Sequence, residues 1–379
     1  MLLIEELVQL SVIYSATNYF DGNPYLDYFD MINRMRKEKD KDFYALPSKV
    51  AEYVIKQLHE SYKSYFALLK LKQAGKYQGS VRLPRYKDKI HGRNVTTFYK
   101  ELLRKTTYKK EGLIHLSKTG IKLKSKIPLE RIQIVKIVPK HSFYELQVVY
   151  HADEAPKLEN SNYAAIDLGL NNLATVATNV SKPFIINGRP LKSINQRWNK
   201  RKARLQSKLK KGVYKSKQIQ TITNKRNRRV KNYLHQASKA LINELRRLSI
   251  SKVVIGCNKE WKQNISLGRR NNQNFVQIPH ARFIEMVTYK AALAGIEIVI
   301  AEESYTSKCS FLDDEPIEKH EEYAGKRIKR GLFKSKTGKL INADINAAYN
   351  IMRKHLGISV HQIDSVQVLS TPNVLVLGS

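Results

Sequence analysis

Four acidic residues stand where carboxylates could work on a phosphodiester. Asp167 is embedded in Ala164-Ala165-Ile166-Asp167-Leu168-Gly169-Leu170, an apolar segment in which a charge is costly unless paired or metal-bound. Glu302 and Glu303 close the run Glu297-Ile298-Val299-Ile300-Ala301. Asp344 falls in the first turn of a helical segment, Ala343 to His355, where the helix dipole favours an acid. Carboxylates converging on a pair of divalent ions are what two-metal phosphodiester hydrolysis needs: one ion prepares the attacking water and the other stabilises the leaving oxygen. Hard oxygen ligands suit Mg²⁺, which keeps waters and phosphate in its shell and so needs few protein ligands. The catalytic candidates are Asp167, Glu302, Glu303 and Asp344. Neighbouring strand residues face opposite ways, so one glutamate of the pair should face a metal. The metal set leans to Asp167, Glu302 and Asp344, with Glu303 open as the alternative. Each acid also has a plainer explanation: a turn cap at Asn171-Asn172, solvated loop acids, or the dipole alone.

The elements that must position these acids alternate in type. Strands are expected over 163–170, 173–177 and 183–186, a meander ending at Gly188. An α/β unit follows: strand 252–255, a polar loop to about 277, helix 279–294 and strand 297–301. Pro279 and Gly295 are the expected helix punctuation. Residues 1–72 read as helical, with apolar residues at mixed spacing over Leu2 to Tyr14 and an amphipathic helix from Val50 to Leu71. Between them and the meander, Val81–Tyr86, Leu113–Leu116, Ile132–Val135 and Tyr144–Tyr150 are short β-like runs separated by turn residues and lysines. That spacing suits a small barrel or sheet with a basic surface. Residues 306–341 are loop-rich and charged, and the residues after Gly357 carry no periodic signal, as in a mobile tail.

Charge selects the partner. Lys and Arg number 68 against 33 Asp and Glu, a formal net charge of +35. Such a surplus repels itself unless a polyanion neutralises it, and nucleic acid is the natural one. Ribosomal and histone-like proteins are as basic, so charge names a partner class and not an activity. No acid occurs between Asp167 and Glu244. That gap holds the nucleic-acid-binding candidates Lys200, Arg201, Lys202, Arg204, Lys225, Arg226, Arg228, Arg229 and Lys231, on two expected helices around a turn near Gly212. A solvated face normally mixes signs; this one does not. Cys257 and Cys309 are too few for a disulfide framework or a four-thiolate zinc site. No apolar run is long enough to span a bilayer. The expectation is a soluble, cytoplasmic and nucleoid-associated protein with no membrane partner.

The stretches Ile166-Asp167-Leu168-Gly169-Leu170-Asn171-Asn172-Leu173-Ala174-Thr175, Tyr305-Thr306-Ser307-Lys308 and Asp344-Ile345-Asn346-Ala347-Ala348-Tyr349-Asn350-Ile351 resemble the RuvC motifs of the TnpB family. These are transposon-encoded nucleases related to the type V CRISPR effectors. The resemblance runs from about residue 15 to 357. It implies an α/β fold with all-α and β-barrel parts. A helical recognition domain would begin over 1–79, and the rest of it with a wedge-like β-barrel would fill 80–158. An RNase H-like (RuvC) nuclease domain would span 159–357, with a basic helical insertion at 191–248 and a lid at 306–341, before a tail at 358–379. It further implies an RNA-guided DNA endonuclease with two Mg²⁺ ions. Its guide RNA would come from the adjacent transposon end, and it would cut double-stranded DNA beside a short adjacent motif.

The chain departs from the family pattern in three places. Gly256 stands where the family's second acid closes its strand, in Val253-Val254-Ile255-Gly256-Cys257-Asn258, and the nearest acid, Glu260, lies past the strand end. A carboxylate from the neighbouring strand that ends at Glu302, about 5 Å away, is the expected replacement. The alternative is a nuclease-inactive, RNA-guided DNA-binding repressor of the same fold. The two Cys-x-x-Cys pairs of many relatives are reduced to Cys309, so no zinc is expected. Phe311, Leu312, Gly331, Leu332 and Phe333 should form an apolar mini-core instead. Finally, the short β-strand that precedes the first recognition helix in the family is missing.

Overall fold

In a computed structural model, residues 25–84, 94–140, 143–258, 276–363, 368 and 371–377 are described, and the chain divides into two units, Met1–Ala152 and Asp153–Ser379. The first unit begins with α1 (Tyr28–Lys37), capped by the Asp27 carboxylate, and α2 (Lys41–Ala45), capped by Asp40. In α3 (Ser48–Gln73) the expected amphipathic spacing buries Val50, Val54, Ile55, Leu58 and Tyr62. Then follow β1 (Thr96–Tyr99), α4 (Lys105–Glu111), β2 (Leu113–His115), β3 (Lys122–Lys124), β4 (Ile132–Pro139) and β5 (Tyr144–Tyr150). One core joins helices to strands: Met35, Val50 and Ile55 lie with Phe98, Ile114, Ile132 and Val135.

The expected wedge-like barrel does not close among the described residues. Strands β1, β4 and β5 form a three-stranded antiparallel sheet, and β2 and β3 a separate pair. Two physical reasons are visible. Residues 81–84 join no ladder, and Pro84 has no N–H to give one. At the open edge, β5 leaves Tyr144, Leu146, Val149 and Tyr150 exposed. The expectations for Leu2–Tyr14, Arg85, Tyr86 and Glu260 lie outside the described residues.

The second unit is built on β6 (Tyr163–Leu168), β7 (Asn172–Thr178), β8 (Phe184–Asn187), α5 (Arg189–Gln206), α6 (Lys217–Arg247), β9 (Lys252–Gly256), α7 (His280–Ala292), β10 (Glu297–Ala301), β11 (Lys326–Lys329), β12 (Leu332–Lys334), β13 (Leu340–Asn342), α8 (Ala343–Leu356) and β14 (Asn373–Val374). The main sheet runs β10-β9-β6-β7-β8-β14. Within it β7 lies antiparallel to β6 and β8, whereas β9 runs parallel to β6, β10 to β9, and β14 to β8. An antiparallel meander extended by parallel strands on the side of its first strand is the RNase H-like arrangement. On one face Leu234, Leu241, Phe283 and Val287 of α6 and α7 bury Ala164, Ile166, Val253 and Ile255. On the other, Ile345, Ala348, Tyr349 and Ile351 of α8 cover Ala165, Ala177 and Val254. The basic helices meet at a turn where Gly212 takes φ +85°, a conformation that suits a residue without Cβ.

The expectation of a mobile tail after residue 357 is corrected. Ile358, Ile363 and Val368 are buried in the α8-side core, and Asn373 and Val374 pair with Phe184 and Ile185. This short segment escapes periodicity because two residues of a strand carry no pattern.

The lid segment is held by side chains of α8. Phe311 stacks on Tyr349 with ring centroids 4.8 Å apart, and Phe333 is buried beside them. The side chain of Asn346 accepts from the Phe311 N–H at 2.9 Å and donates to the Cys309 carbonyl at 2.8 Å. Asn350 donates to the carbonyls of Thr306 and Cys309, and the Glu315 carboxylate accepts the N–H groups of Ser310 and Ala324. Removing a buried amide strands these partners. Asn346→Leu should therefore cost about 1–3 kcal/mol of stability, seen as a lower melting temperature, whereas incubation with a zinc chelator should leave the wild-type melt unchanged.

Candidate metal centre and basic interface

The sheet register places the acids. Ala165 of β6 pairs with Val254 of β9, which pairs with Val299 of β10, and Gly256 pairs with Ala301. Ala165, Val254, Val299 and Ala301 all join the core on the α8 side. By strand alternation the next residues in phase are Asp167 after Ala165, Gly256 after Val254 and Glu303 after Ala301. Asp344 reaches the same place from the first turn of α8, whose N-cap Asn342 accepts the Asp344 N–H at 2.9 Å. Burial pushes the Asp167 carboxyl well above the usual carboxylate range, the negative charges of Asp344 and Glu303 push it further, and Arg327 partly offsets them. Burial, and then the charge of Glu302, also raises Glu303.

The lean towards Glu302 is corrected: the structure brings Glu303, and not Glu302, towards Asp167. Glu302 is exposed and bonds Lys354 Nζ at 2.8 Å, a bond that holds its carboxyl below the usual range. Phase is the reason, because Glu302 follows Ile300, which is 56% exposed, while Glu303 follows the α8-facing residues. Glu303 also fills the room left at Gly256. A Cβ added there would lie 2.7 Å from Glu303 Oε2 and 2.5 Å from Ile351 Cδ1. Asn258 Oδ1 accepts the Glu303 N–H at 3.0 Å, and the Thr306 hydroxyl donates to the Glu303 carbonyl. Tyr305 follows with φ +66°, a left-handed conformation costly for a side chain of its size.

Two polar neighbours of the acids were missed in the sequence. Asn172 Nδ2 donates to Asp344 Oδ2 at 2.9 Å, and Arg327 Nη2 lies 3.3 Å from Asp344 Oδ1. Asn172 stands inside the first motif and could have been found there, although it reads as a turn residue. Arg327 carries no signal in a segment crowded with charge. Among the described residues, no three acidic, histidine or cysteine side chains form a ready cage for an ion. The donor chemistry nevertheless fits Mg²⁺: hard carboxylate oxygens lie on one face, with room in the coordination shell for water and substrate oxygens.

The acid-free stretch forms the helical hairpin of α5 and α6. Of its candidates, Arg201, Lys225, Arg226 and Arg229 line one cavity, together with Arg197 and Trp198, which were not singled out. Lys202 Nζ lies 5.0 Å from the Trp198 ring centroid. Lys200, Arg204, Arg228 and Lys231 are exposed and do not line that cavity.

Residues 145–262 match the sequence model of the OrfB_IS605 family, described as a probable transposase, and residues 280–351 match that of the Cas12f1-like TNB domain. A TnpB-like protein of Acidianus two-tailed virus is 22% identical over 354 residues, covering 83% of this chain and 74% of the viral one. A solved Cas12f1–sgRNA–target DNA complex is similar at 17% identity and a TM-score of 0.40, covering 92% of this chain and 94% of its own. A CRISPR-Cas12f ternary complex is similar at 15% identity and the same TM-score, covering 92% and 79%. The strand order and the gathered acids define an RNase H-like α/β protein. The family matches over its β5-to-α8 span make the chain TnpB-like, as its motifs implied.

Two outcomes test the centre without any assay of activity. The raised Asp167 carboxyl means that the fold disfavours its charged form, so its contribution to stability is present at low pH and lost as pH rises through the folded-state value. Asp167→Asn should raise the melting temperature of the metal-free protein at about pH 8, by roughly 2–4 °C per kcal/mol relieved, and the gain should shrink towards acidic pH. Gly256→Ala should cost about 1–3 kcal/mol by overpacking against Glu303 and Ile351, a loss readable in a denaturant melt.

Proposed function

We propose that the chain is an RNA-guided DNA endonuclease of a transposon that cleaves double-stranded DNA beside a short adjacent motif. Asp167, Glu303 and Asp344 would hold two Mg²⁺ ions. The observation that carries this reading is the convergence of three carboxylates on the α8 face of the sheet, with Glu303 filling the space open at Gly256. When bound, such ions supply an activated water and stabilise the leaving oxygen. The protein's own part is positioning. Asn172 orients Asp344, Asn258 fixes the backbone of Glu303, and Arg327 offers a cation beside them for a phosphate oxygen. The partners would be a guide RNA from the adjacent transposon end and the target DNA, sequence being read by base pairing and the flanking motif by protein. The excess of +35 supplies the field for both. A cytoplasmic, nucleoid-associated setting follows from those partners.

The repressor reading keeps one supporting observation, the missing acid at Gly256. Cleavage of a plasmid library with randomised flanking bases separates the two readings, with the protein co-expressed with its native downstream DNA and Mg²⁺ present. Cutting beside one enriched motif should fall by about 100-fold or more in Asp344→Ala and Glu303→Ala, and stay within about threefold in Glu302→Ala. Gly256→Glu combined with Glu303→Ala should regain part of the loss. Motif-dependent binding without cutting would establish the repressor, and cutting that depends on Glu302 alone would overturn the role of Glu303.

A further inference from the structure

Two helices that pack against each other put apolar side chains along their seam. At one level of the α5–α6 hairpin the seam is cationic instead. Ile194, Arg197, Trp198 and Arg201 on α5 face Ile222, Lys225, Arg226 and Arg229 on α6, and together they line a cavity of about 140 Å³. Both sets recur at steps of three and four, so each lies on a single helix face. Five cations thus meet around one cavity whose lining, among the described residues, includes no carboxylate. Its floor is fixed: Trp198 Nε1 donates to Thr223 Oγ1 at 3.1 Å, and the Arg226 guanidinium lies 5.4 Å from the Trp198 centroid. Arg226 is half-buried and is held by neutral acceptors, Asn195 Oδ1 at 2.7 Å, the neighbouring Asn227 Oδ1 at 2.9 Å and the Gln277 carbonyl at 3.1 Å. These bonds orient the charge without cancelling it. Like charges gathered in a seam repel one another and resist desolvation, so the arrangement is unfavourable unless an anion enters.

Size and surroundings limit the anion. A cavity of about 140 Å³ holds roughly five waters at their liquid volume, enough for a phosphate group and too small for a duplex. Arg197 and Arg201 also line an adjoining groove of about 540 Å³ with Ser193, Gln196 and Lys200, which offers a path along α5 for the rest of a strand. We infer that the α5–α6 seam is a phosphate-anchoring pocket in which Arg197, Arg201, Lys225 and Arg229 bind one phosphate of a nucleic-acid strand above a floor of Trp198 and Arg226. The inference rests on the nucleic-acid part of the proposed function and not on cleavage. It divides the basic run: Arg197, Arg201, Lys225 and Arg229 grip, whereas Arg204, Arg228 and Lys231 contribute only to the general field.

The test uses the full chain carrying Asp167→Ala, without divalent metal, so that loss of nuclease chemistry cannot alter the result. Trp261→Phe leaves Trp198 as the only indole emitter. Single strands of about twelve nucleotides, as RNA, as DNA and as DNA with uncharged methylphosphonate linkages, are titrated while emission is followed. The charged strands should change Trp198 emission and the uncharged strand should not. A response to RNA alone or to DNA alone also supports the pocket and names the source of the phosphate. Arg201→Gln with Arg229→Gln should weaken binding about tenfold or more and lower the salt slope by about one to two. Lys182→Gln with Lys239→Gln removes equal charge from exposed positions elsewhere in the same unit and should cost less than about threefold. Should the double pocket variant melt differently from the parent, Lys225→Gln alone, at an exposed rim position, should still weaken binding about threefold. Equal losses in pocket and control variants, or unchanged Trp198 emission on binding, would overturn the proposal.

Discussion

A carboxylate set into the first strand of a sheet is tolerable only where something outside the sheet answers its charge, and the second unit is arranged around that demand. Asp167 lies in phase with Ala165, so its side chain belongs to the face that α8 covers. The same face receives Asp344 from the start of α8 and Glu303 from beyond β10. Asp344 and Glu303 make Asp167 harder to ionise. A core that gathered like charges for stability alone would be self-defeating. Their assembly, with Arg327 as a cation at the margin, fits a place where positive charge is meant to come and go.

The register also accounts for Gly256. Parallel pairing of β9 and β10 aligns Gly256 with Ala301, which brings the residue two beyond Ala301 into the room that a side chain at 256 would take. Glycine and glutamate are therefore linked by volume: a larger residue at 256 would displace Glu303, and a smaller one at 303 would leave a gap beside Ile351. The lid shows a similar substitution of means. Buried amides of Asn346 and Asn350, with the stacked pair Phe311 and Tyr349, hold a loop for which the resemblance implied cysteine pairs.

Charge and packing are in tension on the helical hairpin. The lower half of α6, through Leu234, Leu241 and Leu245, is anchored in the main core. That anchorage lets the upper half carry Arg and Lys into the seam with α5 without losing the helix. Hydrogen bonds from Arg226 and Asn199 to Gln277 tie this end to the segment that enters α7. There the buried His280 bonds the Gly169 carbonyl, two residues past Asp167. A continuous set of contacts thus joins the basic hairpin to the strand that bears the first acid.

Much of this could be read from residue order. Local periodicity was enough for α3, α8, β10 and the paired basic helices, because amphipathic spacing and punctuation by Pro279, Gly212 and Gly357 are properties of a few adjacent residues. The motifs around Asp167 and Asp344 marked the candidate site, since embedded charges need a purpose wherever they lie. Four matters were settled only in three dimensions. Which of Glu302 and Glu303 turns inward depends on which face of β10 meets α8, a long-range fact on which alternation alone is silent. The open sheet of β1, β4 and β5 depends on pairing partners rather than on strand propensity, and β14 is a two-residue strand that exists only because β8 offers an edge. Arg197 and Trp198 acquire meaning only when α6 brings Lys225, Arg226 and Arg229 opposite them, because a helix face has a function only relative to what it faces.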